Sequence, residues 1–139
     1  PDAFGDLALD WDEVRSMRDQ GVTFGAHTCT HPVLSQVDVE TARSEIVGSR
    51  DRIAEELGEK PVAFAYPNGQ PADFTPDVVS AVADAGFQIA FTLLPGPARR
   101  GELAADPLEV RRLYVHHGDG LDRFAAKLAG LSRVVGSLG

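Results

Sequence analysis

The segment TPDVVSAVADAGFQIAFTLL, Thr75–Leu94, constrains the fold more than any other, because it reads as a helix, a stop and a buried strand in immediate succession. Thr75 suits the N-cap. Pro76 suits the first helical position, where its missing N–H has no partner to lose, and Gly86 closes the helix before the apolar run Phe87–Leu94. The rest of the chain follows the same order of signals.

Upstream, DWDEVRSMRDQG predicts a helix with Asp10 as N-cap, Glu13 as its capping-box partner and Gly21 as the stop. Val22–His27 then reads as a short buried strand interrupted by Gly25. Asp38–Gly58 carries the longest helical pattern, with Val39, Ala42, Ile46, Ile53 and Leu57 near helical spacing and a charged face that reads as solvated surface. Pro61–Tyr66 predicts a second strand, ended by the turn-forming PNGQPADF. After the Phe87–Leu94 strand, PGPARRGELAADP reads as irregular, Glu109–Val115 as a fourth strand and Leu121–Val135 as a terminal helix. Strands alternating with helices at this spacing favour parallel pairing through right-handed crossovers, so the fold class is α/β. A small open sheet and one arc of a (β/α) barrel both satisfy the pattern.

Composition narrows the function. The chain has 139 residues, fits a single domain over 1–139, and is 43% hydrophobic with 24% charged residues, as globular domains are. The formal net charge of -8 and scattered arginines argue against nucleic acid or an anionic membrane as the main partner. Cys29 is the single cysteine, so no internal disulfide forms. No apolar run approaches the roughly 20 residues of a membrane span, and the first residues, PDAFGDLALDW, have neither the basic start nor the apolar core of a signal peptide.

Chemistry concentrates in GAHTCTHP, Gly25–Pro32. Residues four apart on an extended strand are about 13 Å apart, whereas a helical turn brings them within about 6 Å. His27 and His31 can therefore share an ion only if the chain curls directly after the strand, which Thr28 and Pro32 favour. Two neutral imidazoles suit zinc or a neighbouring divalent metal, with cobalt and nickel as alternatives, and a working site needs at least a third ligand. The bland alternative is one histidine at a strand end and one on the surface. A zincin helix is a poor fit, because Thr28 stands where its glutamate belongs. Cys29 as ligand or nucleophile lacks a neighbouring base. His27, the YPNG loop, the loop after Thr92 and the HHGDG segment all belong at the carboxyl edge of a parallel sheet.

From about Trp11 to about Val115 the chain resembles the polysaccharide deacetylases of carbohydrate esterase family 4, the NodB-homology domain. HTCTHP fits the family's H-[ST]-x-x-H-P metal motif. FAYPNG, one helix and one strand later, is nearer to the F-A-Y-P-Y-G variant than to the arginine-bearing F-R-P-P-Y-G form, with Ala65 in place of that arginine. The resemblance implies a partial (β/α) barrel, and it implies that His27 and His31 are the metal's histidine ligands. In the family a third ligand and a catalytic base come from a T-F-D-D-G strand upstream of the histidines, and no such motif occurs in this sequence.

The implied activity is hydrolysis of N-acetyl groups on amino sugars of a polysaccharide or oligosaccharide. In that chemistry the ion polarises the acetyl carbonyl and acidifies a bound water. The resemblance assigns the Asn68 backbone N–H as oxyanion donor, Arg112 as a residue that orients a carboxylate, and His116, or His117, as the late-motif acid. It also places Tyr66 and Pro67 at a sugar-binding wall. The plain readings of these residues are a surface salt bridge for Arg112, exposed loop histidines for His116 and His117, and core packing for Tyr66. On this reading the chain alone is inactive, and upstream aspartates, or another chain, complete the site. The alternative is a non-catalytic α/β module that keeps the loop for metal or glycan binding. An uncovered sheet edge implies a dimer or a complementing chain. The family resemblance favours an extracytoplasmic or envelope location, since many relatives act on envelope polysaccharides.

Overall fold

The computed structural model describes residues 8–131 apart from residues 95 and 99. Three short parallel strands, β1 (Ala63–Ala65), β2 (Ile89–Thr92) and β3 (Val110–Arg111), form a sheet in the order β1-β2-β3. Phe64 pairs with Ala90, and Phe91 with Val110. Ala26 adds a parallel bridge to Phe64 on the free side of β1, so four segments lie side by side in chain order. Sequential order without a reversal is the arrangement of a barrel arc rather than of a doubly wound sheet.

Among the described residues the helices are α1 (Trp11–Asp19), α2 (Val39–Leu57), α3 (Pro76–Asp84), α4 (Arg100–Ala105) and α5 (Leu121–Leu128), with a 3₁₀ turn at Leu34–Gln36. The capping signals act as read. The Glu13 N–H donates to the Asp10 carboxylate while Glu13 accepts from the Asp10 N–H, and Thr75 accepts from the Val78 N–H ahead of Pro76. Gly58 ends α2 in the left-handed region, with φ of 78°.

Strand periodicity puts Phe64, Tyr66, Ala90, Thr92 and Val110 on the buried side. Phe64, Tyr66 and Ala90 pack in one cluster with Ala42 and Ile46 of α2 and Val78, Ala81 and Val82 of α3. Tyr66 stacks on Phe74 at 4.4 Å, and Phe64 meets Phe87 at 5.2 Å. Arginines close the helix ends. Arg18 donates to the Leu57 carbonyl at the end of α2, and Arg50 donates to the Ala85 carbonyl at the end of α3.

Several elements differ from the sequence reading, and the strands expected at Pro61–Tyr66 and Phe87–Leu94 shorten to Ala63–Ala65 and Ile89–Thr92. The Val22–His27 strand is reduced to the bridge at Ala26, because in this register residues 22–24 face chain that precedes the start of β1 at Ala63, and Thr28 turns the chain away at φ 66° just after His27. The Glu109–Val115 strand is reduced to Val110–Arg111, because its neighbour β2 ends at Thr92 and offers residues 112–115 no partner. Part of the irregular stretch PGPARRGELAADP is the helix α4. The terminal helix ends at Leu128, followed by Gly130 at φ 77°, and its expected last residues, 132–135, lie outside the described residues.

Candidate active site

The expected turn is present. Thr28 and His31 both adopt positive φ, 66° and 59°, and the His31 N–H donates to the Thr28 hydroxyl at 3.1 Å. The chain thereby doubles back within one turn and brings the His27 and His31 rings to 4.8 Å between centroids, edge to face at 78°. Both histidines are exposed. His27 Nδ1 lies 2.7 Å from the Ala65 carbonyl, which can only accept, so Nδ1 carries a proton, and in the neutral ring Nε2 is the nitrogen left to bind a metal. A ligating histidine is commonly oriented in this way by a second hydrogen bond.

These two residues fit half of a zinc-type donor set. Among the described residues no group of three or more His, Cys, Asp or Glu side chains is placed to hold a metal ion. Burial pushes the Cys29 thiol up, and the neighbouring Glu45 charge adds to this, so Cys29 is not an activated thiolate.

The loop after β1 follows the same edge. Pro67 is buried, Asn68 is exposed with φ 58°, and the Gly69 N–H donates to the Pro67 carbonyl at 2.6 Å across it. Gly69, at φ 67°, lies against β2: a Cβ there would sit 2.9 Å from the Leu93 nitrogen, and the Leu93 N–H donates to the Gly69 carbonyl at 2.7 Å. The Asn68 N–H makes no hydrogen bond among the described residues.

Tyr66 and Pro67, expected at a sugar-binding wall, are both buried among the described residues. Tyr66 is 1% exposed, its ring lies in the core, and its hydroxyl donates to the Leu108 carbonyl at 3.0 Å. Pro67 is equally enclosed. A buried tyrosine hydroxyl with a carbonyl partner is the core-packing arrangement.

Arg112 is exposed and its Nε donates to the Thr92 carbonyl at 3.1 Å, tying β3 to β2. His116 lies in an exposed loop, where Nδ1 accepts from the Gly118 N–H and the His116 N–H donates to Asp119. Its ring faces His117 at 3.9 Å. No hydrogen bond or ring contact among the described residues joins Arg112 or His116 to the His27–His31 pair.

Sequence reasoning missed Glu45. The charged face of α2 is not all solvated surface: the Glu45 carboxylate accepts from the Cys29 N–H at 2.7 Å, the Thr30 N–H at 2.8 Å and the Thr30 hydroxyl at 2.8 Å. Partial burial opposes ionisation, but these bonds outweigh it and hold the carboxyl below its ordinary range. The available signal was Gly48, a glycine inside a helix, whose added Cβ would meet Cys29 Sγ at 2.9 Å.

The family model for polysaccharide deacetylase matches residues 4–90, more than half of the chain, and that span contains both histidines and the loop after β1. The chain belongs to the polysaccharide deacetylase family. Its fold is that of a deacetylase, PplD, from Streptococcus pyogenes solved with acetate, at TM-score 0.78 and 22% identity over 90% of this chain and 53% of that one. A polysaccharide deacetylase from Bacillus cereus superposes at TM-score 0.72 with 26% identity, over 87% of this chain and 37% of that one. The IcaB structure from Ammonifex degensii matches at TM-score 0.65 and 25% identity, over 86% and 53% respectively. Comparison with curated proteins gave no match. The chain thus spans about half the length of the first of these deacetylases, and parallel strands alternating with helices are common ground between them.

Proposed function

We propose that this chain supplies the histidine half of a metal-dependent deacetylase site that acts on N-acetylated amino sugars of a polysaccharide or oligosaccharide. The observation that carries the reading is the pairing of His27 and His31 at 4.8 Å with His27 Nδ1 already committed to the Ala65 carbonyl. His27, through Nε2, and His31 would hold a divalent ion, zinc by donor chemistry, which supplies Lewis acidity toward the acetyl carbonyl and an acidified water. The acetate bound in the PplD structure is the product that such a reaction releases.

The remaining roles fall to the chain's own groups. The Asn68 N–H, at the exposed tip of the loop after β1, is the oxyanion donor; it is unengaged among the described residues, and Gly69 fixes its loop against β2. His116 is the candidate acid, and Arg112, anchored on the Thr92 carbonyl, is the candidate that orients a carboxylate. The base and the third ligand are carboxylates from outside the described residues. A second reading, a module that binds metal or glycan without catalysis, is favoured by the absence of a third donor among the described residues.

The test has two parts. Zinc titrated into the chain should perturb the ring resonances of His27 and His31 before those of His116 and His117. With zinc or cobalt, acetate should be released from an N-acetylglucosamine oligomer by a form extended upstream through a strand ending in paired aspartates, and not by the chain alone. Acetate release by the chain alone would show that no upstream carboxylate is required. Ring perturbation without release by the extended form would select the binding module.

A further inference from the structure

We propose that Glu45 is a positioning residue for the paired histidines, clamping the His27–His31 turn to α2 with Gly48 as the seat for Cys29. The inference rests on the metal-site reading above. The turn places two non-glycine residues, Thr28 and His31, at positive φ, a conformation that persists only where the surroundings enforce it. Its own restraints are slight. Within the turn the Thr28 hydroxyl bonds the His27 carbonyl and the His31 N–H, and no backbone–backbone bond among the described residues joins two of residues 27–31.

Glu45 supplies what the turn lacks. One carboxylate oxygen receives two successive backbone N–H groups, those of Cys29 and Thr30, and the other receives the Thr30 hydroxyl. Bonds to an ionised acceptor are roughly twice as strong as neutral ones. The carboxylate stands on a rigid base, since its neighbour Ile46 is 0% exposed in the core. Gly48 lies three residues on, on the same side of the helix as Glu45. A Cβ there would sit 2.9 Å from Cys29 Sγ, so that side chain, which also contacts the Glu45 carbonyl at 3.7 Å, would have to shift. A glycine that weakens the middle of α2 is thereby accounted for by the fit of the loop.

The experiment measures zinc affinity of the chain by competition with a chromophoric chelator, with circular dichroism reporting folding and a nuclear Overhauser contact between the two imidazoles reporting the turn in metal-free protein. Glu45→Ala should weaken zinc binding by about 10–100-fold, the usual effect of losing a group that orients a metal ligand. Glu45→Gln should recover most of that loss, because its carbonyl oxygen can take both amides and its NH₂ can donate to the Thr30 hydroxyl. Gly48→Ala should weaken binding, and adding Cys29→Ala should restore it.

Unchanged affinity in a folded Glu45→Ala variant overturns the proposal, as does a folded Glu45→Gln variant no better than Glu45→Ala. If Glu45→Ala does not fold, the Gly48→Ala and Cys29→Ala/Gly48→Ala pair decides alone, and failure of the double variant to recover overturns it. If the unaltered chain binds no zinc, the metal-site reading falls. The imidazole contact then decides the clamp: its loss in Glu45→Ala upholds it and its survival overturns it.

Discussion

The Tyr66 hydroxyl donates to the Leu108 carbonyl at 3.0 Å and so ties the end of β1 to the chain entering β3, across the intervening strand. Burial raises the phenol well above its ordinary range, and the charge of Glu109 acts in the same direction, so the group stays a neutral donor. Tyr66→Phe should therefore cost about 1 kcal/mol of stability in urea unfolding, by leaving the Leu108 carbonyl without its partner. In the active extended protein the glycan KM should not move. A several-fold rise in KM with unchanged stability would return Tyr66 to the substrate surface.

Gly69→Ala tests how the loop carrying Asn68 is held. The new Cβ would approach the backbone nitrogen of Leu93 to 2.9 Å from a residue fixed at φ 67°, and neither atom is at the end of a flexible side chain. A loss of about 1–3 kcal/mol is expected for strain of this kind, read by chemical denaturation. Deacetylation by the extended protein should fall further than stability alone explains, because the Asn68 N–H is displaced.

The histidines themselves should be dispensable for folding. His27→Ala and His31→Ala remove exposed rings, so metal-free stability should change by no more than about 1 kcal/mol. The rise in melting temperature that zinc produces in the unaltered chain should vanish in both. Retention of that rise in either variant would separate the bound metal from the pair.

Acid stability carries the signature of the α2 cap. The Asp38 carboxyl is held below its ordinary value of 3.8, first by the Thr41 backbone N–H and then by the Thr41 hydroxyl. A depressed folded-state value means that the stabilisation is complete above the unfolded-state value and is lost as pH falls through the lower folded-state one. Asp38→Asn keeps a capping acceptor without a titrating group. Its unfolding midpoint should be less sensitive to pH below about 4 than that of the unaltered chain. Identical acid limbs would remove Asp38 from the account.

Much of this was legible in the sequence because the relevant signals are local. Asp10 and Thr75 act through residues three positions away and Pro76 through its own fixed φ, so the helix starts stand where these residues put them. The curl between His27 and His31 was legible for the same reason. The strands at either side were overestimated, because ladder length depends on a partner that the strand's own residues do not encode. Phe87–Leu94 is long enough to pair further, but β2 stops at Thr92. Tyr66 was ambiguous in sequence, since a wall and a core position have the same composition and only the Leu108 carbonyl distinguishes them. Glu45 was hidden by distance: it sits 16 residues from Cys29, on a helix where charges such as Arg52 with Glu55 and Glu56 also pair locally.

The hydrogen bond that fixes His27 comes from the main chain of Ala65 rather than from a side chain. A side-chain orienter is lost by one base change, whereas a carbonyl in a strand is present whatever residue occupies the position. Position 65 is therefore free to exchange alanine for another residue that tolerates β1 without altering which nitrogen His27 offers. Drift at that site can reshape the floor beside the histidines and leave the His27 tautomer inherited intact.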